Sequence, residues 1–345
     1  MSSATHTVTP STDAAPLAAA PLSHQFAAMA TAFSFQLCSP RGGAADAVRL
    51  AQEMVVRVER SCTRFDPDSA LMRANAEPQR WHVVPPELFD ALRAAEVAHQ
   101  VTHGRFDPRV LGALQELGYD VTFADVLDEP DQAAAESTTT RGTTGRSAMH
   151  RAWHPSFDAG RSSVRIGRVP VDLGGIGKGL AVTWAARLLA PHADSVLVEA
   201  GGDVQTVGHG PDGDGWSVGV ENPRGGTDPV AVLRLRDGGV ATSSTRLRRW
   251  RRAGSEVHHL VDPRTGTSAD SGLLAVTVVD AEASAAEVWS KALFVEGRGR
   301  LRDYADRHGI AALWVDDRGW VGTSRAMKPF VVWQQDPSQA VTAGA

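Results

Sequence analysis

Residues 172–179 read Asp-Leu-Gly-Gly-Ile-Gly-Lys-Gly, placing four glycines (Gly174, Gly175, Gly177 and Gly179) within six positions. Glycine has no Cβ, so such a turn admits positive φ and lets backbone come close to a ligand. The residues that follow, Lys178–Ala190, carry apolar side chains at helical spacing. A helix starting here aims its unpaired N–H groups and the positive end of its dipole back at the turn, and Lys178 adds a full charge. Together these features suit a phosphate or pyrophosphate. The segment departs from two common glycine-rich patterns. GxxxxGK[ST] would need glycine where Asp172 stands and Ser or Thr where Gly179 stands. GxGxxG begun at Gly175 would need glycine at Leu180.

The elements that must position this turn are legible as periodicities. Alternating apolar and polar residues predict a strand over Gln25–Leu37, and helical spacing predicts a helix over Ala44–Arg60. The turn-rich Arg64–Ser69 leads to a short helix ending near Asn75, and Pro86 opens another that runs to Val101. Later, strands are predicted over Ser163–Arg168, Ser195–Glu199, Trp216–Glu221, Val230–Leu235, Val257–Val261, Leu274–Val279 and Ala311–Val315, interrupted by helices Lys178–Ala190 and Ala283–Val295. Short connections favour antiparallel pairing, so the expected class is α+β, a mainly antiparallel sheet core with flanking helices. The expected organisation is a disordered tail (1–24), a helical N-terminal part (25–127), a flexible insertion (128–152), a strand-rich core (153–330) and a C-terminal tail (331–345). Residues 128–150 lose apolar periodicity and fill with Ala, Ser, Thr, Gly and Arg.

The 345 residues are 42% hydrophobic and 22% charged, enough to bury a core without staples. A formal charge of −5 argues against nucleic-acid or anionic-membrane partners. The run Arg246, Arg248, Arg249, Arg251, Arg252 has only Trp250 interleaved and reads as a solvated loop suited to an acidic protein partner. Cys38 and Cys62 form neither a disulfide framework nor a CxxC motif. With no secretory signal and no apolar run near the ~18 residues a membrane helix needs, the expected location is the cytoplasm.

The glycine turn resembles the DxGGxxKG signature of the ApbE-like FAD:protein FMN transferases, and five further segments follow in that family's order. They are Thr63–Asn75, Gly104-Arg-Phe-Asp-Pro108, Ala200-Gly-Gly-Asp203, Ala241-Thr-Ser-Ser244 and His259-Leu-Val-Asp-Pro-Arg-Thr-Gly266, so the resemblance spans about residues 25–330. It implies an ApbE-like (T-fold-like) architecture and transfer of FMN from FAD to a Thr or Ser hydroxyl of an acceptor protein, with release of AMP. Two other outcomes share the binding step: an FAD-binding or scavenging protein, and an FAD pyrophosphatase that uses water.

The resemblance also implies roles. His259 is the candidate base, since its ordinary pKa lies near neutrality, and Lys178 is the second catalytic candidate. Asp172, Gly174, Gly175, Lys178 and Gly179 would hold the pyrophosphate; Gly201, Gly202 and Asp203 the flavin or ribityl chain. Thr242 and Ser243 would donate hydroxyls, with Ser69, Asn75, Asp107 and Asp262 also lining the cofactor site. Ser69 equally suits a helix cap, Asp107 a turn, and Thr242 and Ser243 a strand exit. Magnesium in the family is held by Asp and Thr one helical turn apart and by a carbonyl of the KG turn. Here those positions are Glu287, Lys291 and Gly177. Glu287 can ligate a hard cation; Lys291 has donors only and cannot. They can instead pair with each other, or Lys291 can reach the pyrophosphate.

Overall fold

The computed structural model describes residues 20–119, 152–252 and 254–335; nearly all of the expected insertion and most of both expected tails lie outside them. Eight runs rich in Val, Ala, Leu and Phe pair in chain order into one antiparallel sheet: β1 (Leu22–Ala28), β2 (Thr31–Pro40), β3 (Ala193–Ala200), β4 (Asp203–Val207), β5 (Gly238–Ser244), β6 (Leu273–Asp280), β7 (Ala311–Asp316) and β8 (Val321–Thr323). The helices are α1 (Ala44–Cys62), α2 (Ala70–Ala76), α3 (Pro86–Val101), α4 (Leu111–Glu116), α5 (Gly177–Leu189), α6 (Ala283–Glu296) and α7 (Arg298–His308).

Side chains alternate across a strand, and here the two faces bury different partners. Phe33, Phe35 and Leu37 of β2 and Val196, Val198 and Ala200 of β3 join α1 and α5 in one cluster. Val276 and Val278 of β6 pack against α6. On the opposite face, Val204, Val240, Val279 and Leu313 meet a three-stranded sheet built from Trp216–Val220, Ala231–Leu235 and Val331–Gln334.

Several expectations change. Gln25–Leu37 is a hairpin rather than one strand, because Met29 (φ 53°) and Ala30 (φ 55°) make a tight turn without glycine, proline or asparagine. The Met29 N–H donates to Glu59 Oε1 at 2.6 Å, which helps hold this uncommon backbone. β1 starts at Leu22, inside the stretch assigned to the tail, and Val331–Gln334 pairs where a C-terminal tail was expected. The chain does not divide into helical and strand-rich halves, since β2 pairs with β3. β4 and β5 escape the alternation rule because both begin in polar or glycine positions. Val257–Val261 splits: one strand ends at His258, and Val261–Asp262 pairs with Thr267–Ser268.

α5 and α6 touch where Gly179 faces Ser284: a Cβ on Gly179 would lie 2.7 Å from Ser284 Cα and 2.8 Å from the Ala283 carbonyl oxygen. Backbone cannot yield as a side-chain tip does. Gly179→Ala is therefore expected to lower unfolding free energy by about 1–3 kcal/mol. Gly177→Ala, whose Cβ would meet only Met29 Cε at 3.5 Å, is expected to leave it unchanged or slightly raised. Urea unfolding of the two variants checks the contrast.

Candidate functional site

The first turn of α5 and the middle of α6 bring four charged side chains together. Lys178 Nζ pairs with Asp203 Oδ2 at the start of β4 and lies 3.5 Å from Glu287 Oε1. Lys291 Nζ, one turn along α6, is 3.1 Å from the same Glu287 oxygen. The other oxygen, Oε2, accepts the Gly179 N–H at 2.8 Å, so Glu287 satisfies one of the free donors at the start of α5. Attraction between unit charges ~4 Å apart is on the order of 4 kcal/mol at an effective dielectric of ~20. Desolvating each ion costs several kcal/mol. The quartet therefore adds little net stability while whole, yet losing one member leaves a buried charge unmatched.

The environment sets the protonation states. Burial alone would raise the Glu287 carboxyl, but Lys178, Lys291 and the Gly179 N–H hold it at about 2. Asp203 goes the other way, pushed up to about 6 by burial and by Glu287 despite Lys178. Lys178 stays charged, because its two carboxylate neighbours outweigh its own desolvation. Burial also raises Asp172, against the pull of Arg64.

The glycine turn is anchored from behind. Asn75 accepts the Val171 N–H and donates to the Val171 carbonyl, both at 2.8 Å, while the Asp172 N–H donates to the Pro108 carbonyl at 2.6 Å. Asp107 has local partners: its carboxylate caps the Pro108–Val110 turn and holds Arg109 through two hydrogen bonds. Ser69 caps α2, accepting from the Met72 N–H at 3.0 Å and donating to the Thr63 carbonyl at 2.6 Å. Asp172 lies 3.5 Å from Arg64 Nε. The Arg64 guanidinium rests against the rings of Phe65 and Tyr119, at 4.2 and 4.5 Å from their centroids.

Gly201 and Gly202 both take positive φ, 57° and 89°, and are exposed beside buried Asp203. The hairpin tip closes on this region: a Cβ on Gly201 would sit 2.9 Å from Thr31 Oγ1. Thr242 and Ser243 are neighbours in β5 and point to opposite faces, so the sheet does not bring both to one site. Ser243 bonds Ser290 of α6 at 2.7 Å, and Thr242 bonds Thr277 of β6 at 2.9 Å. Asp262 is spent on its own loop, gripping the Arg264 guanidinium and N–H.

His259 sits in the break between two strands. Its Nδ1 lies 3.3 Å from the Arg248 carbonyl; a carbonyl only accepts, so Nδ1 carries the proton and Nε2 keeps its lone pair. Burial, then Arg248 and Lys291, push the imidazole well below its ordinary pKa, leaving it neutral. Ser290 takes a site contact that no sequence motif singled out; Arg64, Arg248 and Thr183 (which accepts the Ser284 N–H at 3.2 Å) stood in stretches the sequence marked, but without these contacts. Thr183 and Ser290 act through partners far away in the chain, Ser284 and Ser243.

A divalent cation does not fit the implied set Gly177, Glu287 and Lys291. Both Glu287 oxygens are taken, one by a backbone N–H and one by two ammonium groups, and Lys291 offers no lone pair when charged. Among the described residues, no group of three or more His, Cys, Asp or Glu side chains could hold a metal.

The family model described as the ApbE family matches residues 29–314. A Treponema pallidum protein named FAD:protein FMN transferase is 31% identical over 281 residues, 76% of this chain and 74% of that protein. One of the same name from Chlamydia trachomatis is 27% identical, covering 79% and 84%. A solved ApbE protein from Thermotoga maritima superposes with a TM-score of 0.74 at 25% identity, covering 92% of this chain and all of that one. The Vibrio cholerae structure named flavin transferase ApbE has a TM-score of 0.72 at 20% identity, with 90% and 99% covered, and so shares the fold.

The charge quartet makes a direct prediction. Lys178→Met removes the partner of Asp203 and one partner of Glu287, so it should lower stability by about 3–5 kcal/mol. Adding Asp203→Asn should restore part of that loss. Denaturant midpoints for the single and double variants measure both effects; an unchanged midpoint in Lys178→Met refutes the coupling.

Proposed function

The chain belongs to the ApbE family, and from that membership we propose that it is an FAD:protein FMN transferase that moves FMN from FAD to a Thr or Ser hydroxyl of an acceptor protein and releases AMP. The observation that carries the reading is the convergence, at the N-terminus of α5, of a glycine turn, two lysines and Asp203, with neutral His259 within range of the Lys291 charge.

In this reading the turn N–H groups and the two lysines receive the pyrophosphate, and the Gly201–Gly202 turn lets the ribityl chain approach backbone. Asp172 and Arg64 close the far side of the turn. His259 Nε2 takes the acceptor hydroxyl proton, the hydroxyl oxygen bonds to the FMN phosphorus, and the bond to the bridging oxygen breaks, its electron pair leaving with AMP. Asn75, Asp107, Ser69 and Asp262 serve as positioning residues, because each holds backbone or a neighbouring arginine. The resemblance implies magnesium, but the occupied oxygens of Glu287 argue against including it in this reading. Cys38 and Cys62, both free, support work in a reducing compartment such as the cytoplasm, and no described helix is long and apolar enough to cross a membrane.

Purified protein with FAD and a candidate acceptor should give a covalently fluorescent acceptor and released AMP. AMP and free FMN without a labelled acceptor would indicate hydrolysis; bound FAD without either product would indicate binding alone. His259→Ala should abolish transfer and keep FAD binding. Because burial, Arg248 and Lys291 hold the imidazole well below its ordinary pKa, the acid limb of the pH–rate profile should lie below the ordinary histidine range. A limb at ~6.5 or above, the ordinary histidine range, would contradict this.

A further inference from the structure

We propose that Lys291 is a fixed cation that takes the place of a divalent metal at the FAD pyrophosphate, so that flavin transfer by this chain proceeds without metal. This inference rests on the transferase reading.

The argument is geometric. α6 carries Glu287 and Lys291 one turn apart on its buried side, with Nζ 3.1 Å from Oε1. The lysine arm then runs beneath the glycine turn: a Cβ on Gly175 would lie 3.4 Å from both Cδ and Cε of Lys291, and 3.1 Å from Phe106 Cε2. The ammonium is thus placed between the turn that would cradle phosphate and the one carboxylate that would otherwise hold a metal. Glu287 has no oxygen to spare, because Oε2 accepts the Gly179 N–H at 2.8 Å and Oε1 faces Lys291 at 3.1 Å and Lys178 at 3.5 Å. A cation entering there would displace a backbone donor from a helix terminus and sit against two like charges.

Accessibility points the same way. The Glu287 side chain is 2% exposed, whereas Lys291 is 21% exposed and can meet a ligand. Lys178 and Lys291 are matched by Asp203 and Glu287, so the quartet is neutral before substrate arrives. Asp203 already holds Lys178, which leaves Lys291 as the cation freest to turn toward a doubly anionic pyrophosphate. An ammonium neutralises phosphate oxygens as a point charge and needs no coordination shell.

The test uses full-length protein in two arms. In the first, Mn2+ is titrated into the wild type, with and without FAD, and followed by electron paramagnetic resonance. The free-ion signal should persist undiminished; saturable loss of signal would overturn the inference. In the second, FMN transfer and AMP release are compared in EDTA and in excess Mg2+. Equal rates are expected, and transfer lost in EDTA but restored by Mg2+ would also overturn it. Lys291→Met should slow transfer on the order of 100-fold, as loss of a charge-stabilising donor does, without rescue by Mg2+. Lys291→Arg should recover part of the rate. Thermal unfolding of both variants separates a folding defect from a lost charge. Wild type that makes neither AMP nor labelled acceptor in either buffer would reject the transferase reading, and the Mn2+ arm would still decide the metal question.

Discussion

The Glu287 carboxylate is the point on which the rest of the site depends. A buried carboxylate is costly unless its oxygens are fully occupied, and here three donors occupy them: the Gly179 N–H, Lys178 and Lys291. That arrangement ties the start of α5 to the middle of α6. It demands that two helix backbones come close, which is why Gly179 cannot carry a side chain beside Ser284. The same contact fixes the direction of the helix N-terminus, and hence where the glycine turn presents its donors.

The sheet makes this contact possible. Its strands follow chain order, with α5 preceding β3 and α6 following β6. Two helices more than 90 residues apart thereby cross the same face as neighbours. The hairpin tip at Met29–Thr31 and the Gly201–Gly202 turn meet at one edge of that face, and the glycine turn is pinned from below by Asn75 and the Pro108 carbonyl. The candidate site is therefore assembled from widely separated stretches, most of them delivered by the end of a strand or helix and one by the middle of α6.

Charge explains why the site differs from what a motif alone suggests. With Lys at position 291, the carboxylate of Glu287 becomes part of an ion cluster rather than an open ligand. The cluster of two lysines and two carboxylates is neutral before substrate arrives, and Lys291 is its more exposed cation.

Some of this was fixed by residue order alone. The glycine spacing and Lys178 could suggest an anion site because those properties are local: absent Cβ atoms, free N–H groups and a charge on one turn. The helices over Ala44–Cys62 and Ala283–Glu296 were legible from periodicity for the same reason. What Asn75, Asp107 and Ser69 do was not, since a polar side chain near a motif serves a ligand or the backbone equally well until its partner is known. Thr242 and Ser243 look like a pair in sequence, yet a strand sends them to opposite faces. The Met29–Ala30 turn carries no turn residue, so only the pairing of β1 with β2 reveals it. Sequence determined the kind of chemistry; tertiary contact decided which side chains are free to perform it, because a hydrogen bond made across the fold removes a group from service.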